Sequence, residues 1–266
     1  MPPSPSDRER RPTFLQAALR HDRTPLIIVL VLVPLVSWWW IVVMARDMYG
    51  PMTGASAWMM TPRWDGPHLV LLWAMWAVMM TGMMLPSAGP MILLAGDGAR
   101  QADGKVRARR TYLLASGYLV VWALFSVGAT ALQWWLARLL VINPMMEVSS
   151  RRAGAVFLAV AGIYQWTPWK RACLATCQSP LAFLMRRWRS GAWGAFRMGV
   201  EHGAYCVGCC WALMLLLFAG GVMNLTVIAA LTAFVAFEKL APVGVHSARV
   251  SGGLLIAMAA WMFFQN

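Results

Sequence analysis

RMGVEHGAYCVGCCWALMLLLFAGGV, residues 197–222, opens on an arginine and a glutamate and then runs almost wholly apolar. A membrane crossing needs about 20 mostly apolar residues, and this stretch supplies them as one helix. Successive helical residues turn by about 100°. With His202 at zero, Cys206 falls near 40°, Cys209 near 340° and Cys210 near 80°, an arc of about 100°. Residues three or four apart face the same neighbour, so these side chains share one face. Thiolate and imidazole suit Cu(I) and Zn(II), and the softer the set, the more it favours Cu(I). A lone buried cysteine acts as a small apolar residue. A CxxCC string with Glu201 and His202 one turn earlier is different, because ionisable groups at membrane depth mark function.

Six further apolar runs surround it. The candidate spans are roughly residues 26–45, 68–95, 111–136, 153–169, 198–221, 223–241 and 249–265. The fold expected is all-α, a polytopic membrane helical bundle of about seven transmembrane helices. The composition agrees: 266 residues, 60% hydrophobic and only 12% charged, against about 25% charged in soluble domains. The chain divides into a basic arm at 1–25 and a single transmembrane domain at 26–266. Within the latter, 170–197 reads as a basic amphipathic segment at the inner surface, with Trp188 and Trp193 among its arginines. The basic start followed by an apolar run raises a signal peptide. The length of the run and Trp38-Trp39-Trp40 favour an uncleaved first helix.

Lys and Arg number 23 against 10 Asp and Glu, a formal charge of +13. In a soluble chain this would suggest nucleic acid; here it fits basic loops that hold topology, and no nucleic-acid partner is expected. Alternate segments (the arm, 100–110, 170–197 and the last turn) carry 18 of the 23. The positive-inside rule then sets the N-terminus in the cytoplasm of a bacterial inner-membrane, multi-pass protein.

The remaining cysteines, Cys173 and Cys177, are four apart between Pro168 and Pro180. Alternation of spans brings them to the cytoplasmic side with Cys206, Cys209 and Cys210, where free thiols persist. Lys170 and Arg171 beside them should favour thiolate, the metal-binding form. The second span carries a thioether stripe: Met75, Met79, Met80, Met83 and Met84. Such stripes commonly pack, but thioethers also bind Cu(I) and are poor ligands for Zn(II). They form a candidate metal relay. Pro86 and Gly89-Pro90 are expected to interrupt that helix and free carbonyls into a cavity wall. Gly199 and Gly203 form a small-xxx-small pair suited to close helix packing. Asn224 is placed to cap the sixth helix. Glu238 and Lys239 end that helix and read as a structural pair, with Glu201 and Glu238 as candidates for groups behind the metal ligands.

Four strings together, TGMMLPSAGPM (81–91), YQWTPWKRACLATCQSP (164–180), GAYCVGCCWALMLLLFAGGVMNL (203–225) and FEKLAP (237–242), resemble a bacterial family of uncharacterised, predicted metal-binding integral membrane proteins. The match spans roughly half the chain, and all five cysteines stand at matching positions. The resemblance implies an all-helical membrane fold and a bound metal; it specifies no reaction.

The reading that follows is a membrane protein that binds a soft metal ion, Cu(I) rather than Zn(II), for transport, delivery or homeostasis. Its expected ligands are Cys173, Cys177, His202, Cys206, Cys209 and Cys210. Two alternatives stand beside it. One is a structural or assembly subunit of a larger membrane complex with a stabilising metal. The other is a membrane thiol-disulfide oxidoreductase using Cys206 and Cys209. A non-enzymatic role is favoured, with membrane lipid and a protein partner as its surroundings.

Overall fold

The computed structural model describes residues 24–50, 55–60, 64–98, 104–241 and 244–265. The basic arm expected at 1–25 lies almost wholly outside them. Eleven helices occur among the described residues, and no strand. They are α1 (Thr24–Met48), α2 (Ala55–Met59), α3 (Gly66–Gly98), α4 (Gly104–Arg138), α5 (Arg151–Gln165), α6 (Pro168–Gln178), α7 (Pro180–Arg187), α8 (Gly191–Met214), α9 (Leu216–Gly220), α10 (Leu225–Leu240) and α11 (Gly244–Phe264).

Five segments are long and apolar enough to cross a membrane: Leu26–Met48, Gly66–Gly96, Lys105–Arg138, Gly191–Gly220 and His246–Phe264. The other two expected spans are helices α5 and α10, of 15 and 16 residues, which fall short of the length a crossing ordinarily takes. The fourth span was expected to reach 169, but α5 stops at Gln165. The cause is local. The residue before a proline is pushed out of the helical region, and Thr167 is extended (φ −68°, ψ 147°). Its hydroxyl accepts from the Lys170 amide and Pro168 sits at the first helical position, so a new helix starts there. Asn224 caps α10 as expected, its side-chain oxygen accepting from the amides of Thr226 and Val227. The basic segment 170–197 is two short helices, α6 and α7, with the first turns of α8.

Helix α3 is the clearest departure. Pro86 and Pro90 lie inside it without ending it. A proline removes one amide and orphans the carbonyl four residues before it. For Pro86 that carbonyl is Gly82, and the Trp38 indole of α1 donates to it at 3.3 Å. Gly82 also lets α1 approach, since a Cβ there would stand 3.0 Å from Ser37 Cβ. The interruption expected at Pro86 is thus absorbed by a neighbouring helix.

The tightest packing joins α4 to α8. Gly199 and Gly203 do what their spacing suggests: a Cβ on Gly199 would collide with the Leu114 carbonyl, and one on Gly203 would meet Val121 Cβ at 2.9 Å. Gly117 of α4 lies equally close to the Phe196 carbonyl. Contacts advance together along the two helices, from Arg110 with Arg189 just before α8 to Val121 with Gly203, so α4 and α8 run parallel. Helix α3 packs antiparallel to α4, with Gly96 near Thr111 and Trp76 donating to Gln133 at 2.7 Å. Helices α5 and α11 are also antiparallel: Gly154 meets Met262 and Gly162 meets Gly252.

Candidate metal centre

Three helices, α3, α6 and α8, bring their sulfur-bearing side chains together, and α10 adds Lys239. Their placement on α8 follows the helical phase, and His202, Cys206, Cys209 and Cys210 are all buried. Adjacent residues nevertheless point about 100° apart, so the face divides among different neighbours. Cys209 Sγ lies 4.0 Å from Cys177 Sγ of α6. Cys210 Sγ lies 4.0 Å from Met84 Sδ of α3. Cys206 Sγ lies 3.0 Å from Tyr118 Oη of α4 and 2.9 Å from Lys239 Nζ of α10. The Cys209 and Cys210 thiols also reach back to the Cys206 carbonyl, at 3.1 and 2.9 Å.

Cys173 lies one turn before Cys177, against Gly208, where a Cβ would stand 2.8 Å from its sulfur. Glycine at 208 therefore makes the room that Cys173 fills. The Tyr164 hydroxyl donates to the Gly208 carbonyl and ties α5 to the same turn. All five cysteines are free thiols.

The expected cationic assistance from Lys170 does not prevail. Lys170 is buried and held by Glu238 at 2.6 Å. Burial pushes the Cys173 thiol up, the nearby Cys209 adds to this, and Lys170 offsets it only in part.

The other expected site residues are distributed as follows. His202 sits between the rings of Phe183 and Tyr118, with centroids 5.3 and 5.9 Å away, and its Nδ1 is buried with no hydrogen-bond partner among the described residues. Of the methionine stripe, Met84 reaches the thiols. Met75, Met79, Met80 and Met83 are equally buried and line the bundle core. Glu201 is turned to the surface and paired with Arg189 at 2.7 Å. Glu238 faces Lys170 and Gln165 rather than the thiols. Glu238 and Lys239 are therefore not a pair with each other.

Two residues at the centre of the site carried little warning in the sequence. Tyr118 is one hydroxyl in an apolar run, and its signal is only that a buried phenol needs a partner. It donates to the Met84 carbonyl at 3.0 Å while contacting Cys206. Lys239 in sequence is half of an apparent structural pair with Glu238.

Among the described residues, no three His, Cys, Asp or Glu stand together as a ready-made metal site. The donor chemistry still fits a soft ion of low coordination. A metal–thiolate bond is about 2.3 Å, so one ion can join two sulfurs up to about 4.6 Å apart. The Cys177–Cys209 and Cys210–Met84 separations both fall within that reach.

Neither a curated protein nor a solved structure matches the chain. A family model does: that of PpoB2, described as a copper chaperone, over residues 73–262. The matched region begins within α3 and ends within α11, and so takes in every sulfur of the site. This chain belongs to the PpoB2 copper chaperone family.

Proposed function

We propose that the protein is a copper carrier of the bacterial inner membrane that holds Cu(I) on buried sulfurs and hands it to a protein partner. The observation that carries this reading is the convergence of Cys177 with Cys209 and of Cys210 with Met84, each at 4.0 Å. Copper is cargo here. Thiolates bind it, the Met84 thioether gives a second soft contact, and His202 has an uncommitted ring nitrogen nearby. Met75, Met79, Met80 and Met83 extend the buried thioether surface along α3 and serve as the relay.

Membrane insertion through seven spans, with the N-terminus cytoplasmic, completes the proposal. Large apolar side chains such as Leu35, Val36, Trp39 and Leu124 are exposed on α1 and α4, as lipid-facing residues are. The parallel pair α4 and α8 and the antiparallel pair α5 and α11 have the relative directions that seven alternating spans require. The close sulfur pairs also weigh against the oxidoreductase reading. One of them includes a thioether, which forms no disulfide, and Cys206 is engaged by Tyr118 and Lys239 as well as lying beside Cys209.

The test is elemental analysis of the detergent-purified protein. Copper is expected at near one ion per chain, and the double substitution Cys209→Ser/Cys210→Ser, which takes one thiol from each sulfur pair, should remove it. Unchanged copper in that variant sinks the proposal.

A further inference from the structure

Lys239 is the unusual member of the sulfur group. Its side chain is buried, with only 5% of the residue exposed. Its Nζ stands 2.9 Å from Cys206 Sγ, 3.3 Å from Ser87 Oγ and 3.8 Å from Met84 Sδ. Among the described residues no carboxylate lies within ion-pair distance of it. The nearest in sequence, Glu238, is held by Lys170 at 2.6 Å. A buried ammonium without a carboxylate is costly, and this one is built into the wall of a site whose other groups are soft sulfur donors.

Its position bears directly on the cargo. Met84 Sδ is shared, lying 3.8 Å from Lys239 Nζ and 4.0 Å from Cys210 Sγ. Any cation bound on these sulfurs therefore sits close to a fixed positive charge, in surroundings that screen it poorly. The repulsion scales with the charge of the ion, so a divalent ion feels twice what a monovalent one does. Thiolates by themselves accept both Cu(I) and Zn(II); the thioether sets a preference by softness, and the ammonium sets one by charge.

We infer that Lys239 is a specificity determinant that makes the sulfur group accept a monovalent soft cation and reject a divalent one. This rests on the copper-carrier reading and names what restricts its cargo.

The experiment measures Cu(I) and Zn(II) affinities of the full-length protein in detergent by chelator competition. The samples are the wild type, Lys239→Leu and Lys239→Arg. The Cu(I)-to-Zn(II) affinity ratio should fall by about tenfold in Lys239→Leu, which removes the charge and adds no metal ligand, through a gain in Zn(II) binding, because the divalent charge has lost its opponent. Lys239→Arg, which keeps the charge, should hold the ratio near the wild-type value. If Lys239→Leu does not fold, Lys239→Gln reads the same ratio, its amide still able to reach Ser87. Wild-type Cu(I) binding with a ratio unchanged in the uncharged variant overturns the inference and leaves the carrier reading standing. A wild type that binds no Cu(I) overturns both, and is seen before any variant is compared.

Discussion

Glu238 and Lys239 are neighbours in the chain and belong to two different polar centres. Glu238 closes a lock of hard groups. Its carboxylate accepts from Lys170 at 2.6 Å and from Gln165 at 3.2 Å, and its carbonyl accepts from Gln178 at 2.7 Å. Gln165 reaches on to Ser251 at 3.1 Å, so the lock joins α5, α6, α10 and α11. Lys239 faces the other way, into sulfurs that stand 4.0 Å from one another. Both centres are buried. In one, the charged oxygens and nitrogens are matched to each other; in the other, Cys177 faces Cys209, Cys210 faces Met84, and the ammonium has sulfur and hydroxyl neighbours in place of a carboxylate. The difference separates a centre that holds helices together from one able to take in an ion.

The largest test of that separation is Glu238→Gln. Removing one member of a buried pair leaves Lys170 uncompensated, at a cost of about 3–5 kcal/mol. Thermal unfolding in detergent should show a large loss, while the fraction that remains folded should keep its copper. Replacing both partners with apolar residues should restore much of the stability, since the isolated charge is what costs. Copper lost from folded Glu238→Gln protein would merge the two centres into one.

Within the sulfur group, Cys177→Ser and Met84→Leu each remove one sulfur from one pair. Met-to-Leu exchanges conserve volume and typically cost less than about 1.5 kcal/mol in stability, so the effect should appear in metal affinity. Thiolate is the stronger ligand. Cys177→Ser is expected to weaken Cu(I) by about 100-fold and Met84→Leu by about tenfold, that is by about 2.7 and 1.4 kcal/mol. Copper titration against a competing chelator checks both. The reverse order would move the main binding pair from Cys177 and Cys209 to Cys210 and Met84.

How much of this was legible beforehand follows from what a periodicity can carry. Helical phase is local geometry, and it placed His202, Cys206, Cys209 and Cys210 on one buried face. Glycine spacing likewise announced the α4–α8 contact at Gly199 and Gly203. Phase does not name partners. That Cys209 would meet Cys177 while Cys210 met Met84 depends on where α6 and α3 pack. The same limit explains Lys239. Its adjacent Glu238 looked like a partner, but the carboxylate is taken by a lysine 68 residues away. The continuity of α3 through Pro86 was hidden for a similar reason, because the group that relieves it is the Trp38 indole on another helix.

Glu201 gives the smallest effect and the sharpest control. It stands beside His202 in sequence, which suggests a group behind the metal ligands, yet a one-residue step turns it by about 100°. Its carboxylate meets Arg189 at 2.7 Å, Arg197 at 3.7 Å and Arg187 at 3.8 Å, with its side chain still 21% exposed. Partly exposed ion pairs contribute about 1 kcal/mol or less. Glu201→Gln should therefore leave copper stoichiometry and affinity unchanged and lower the unfolding midpoint only slightly. Because Arg187 ends α7 and Arg189 lies in the connection to α8, any loosening should appear there, as faster proteolysis around residues 187–190. A copper defect in Glu201→Gln would extend the metal centre one turn down α8 to the surface, and would make the arginine cluster part of how the ion enters.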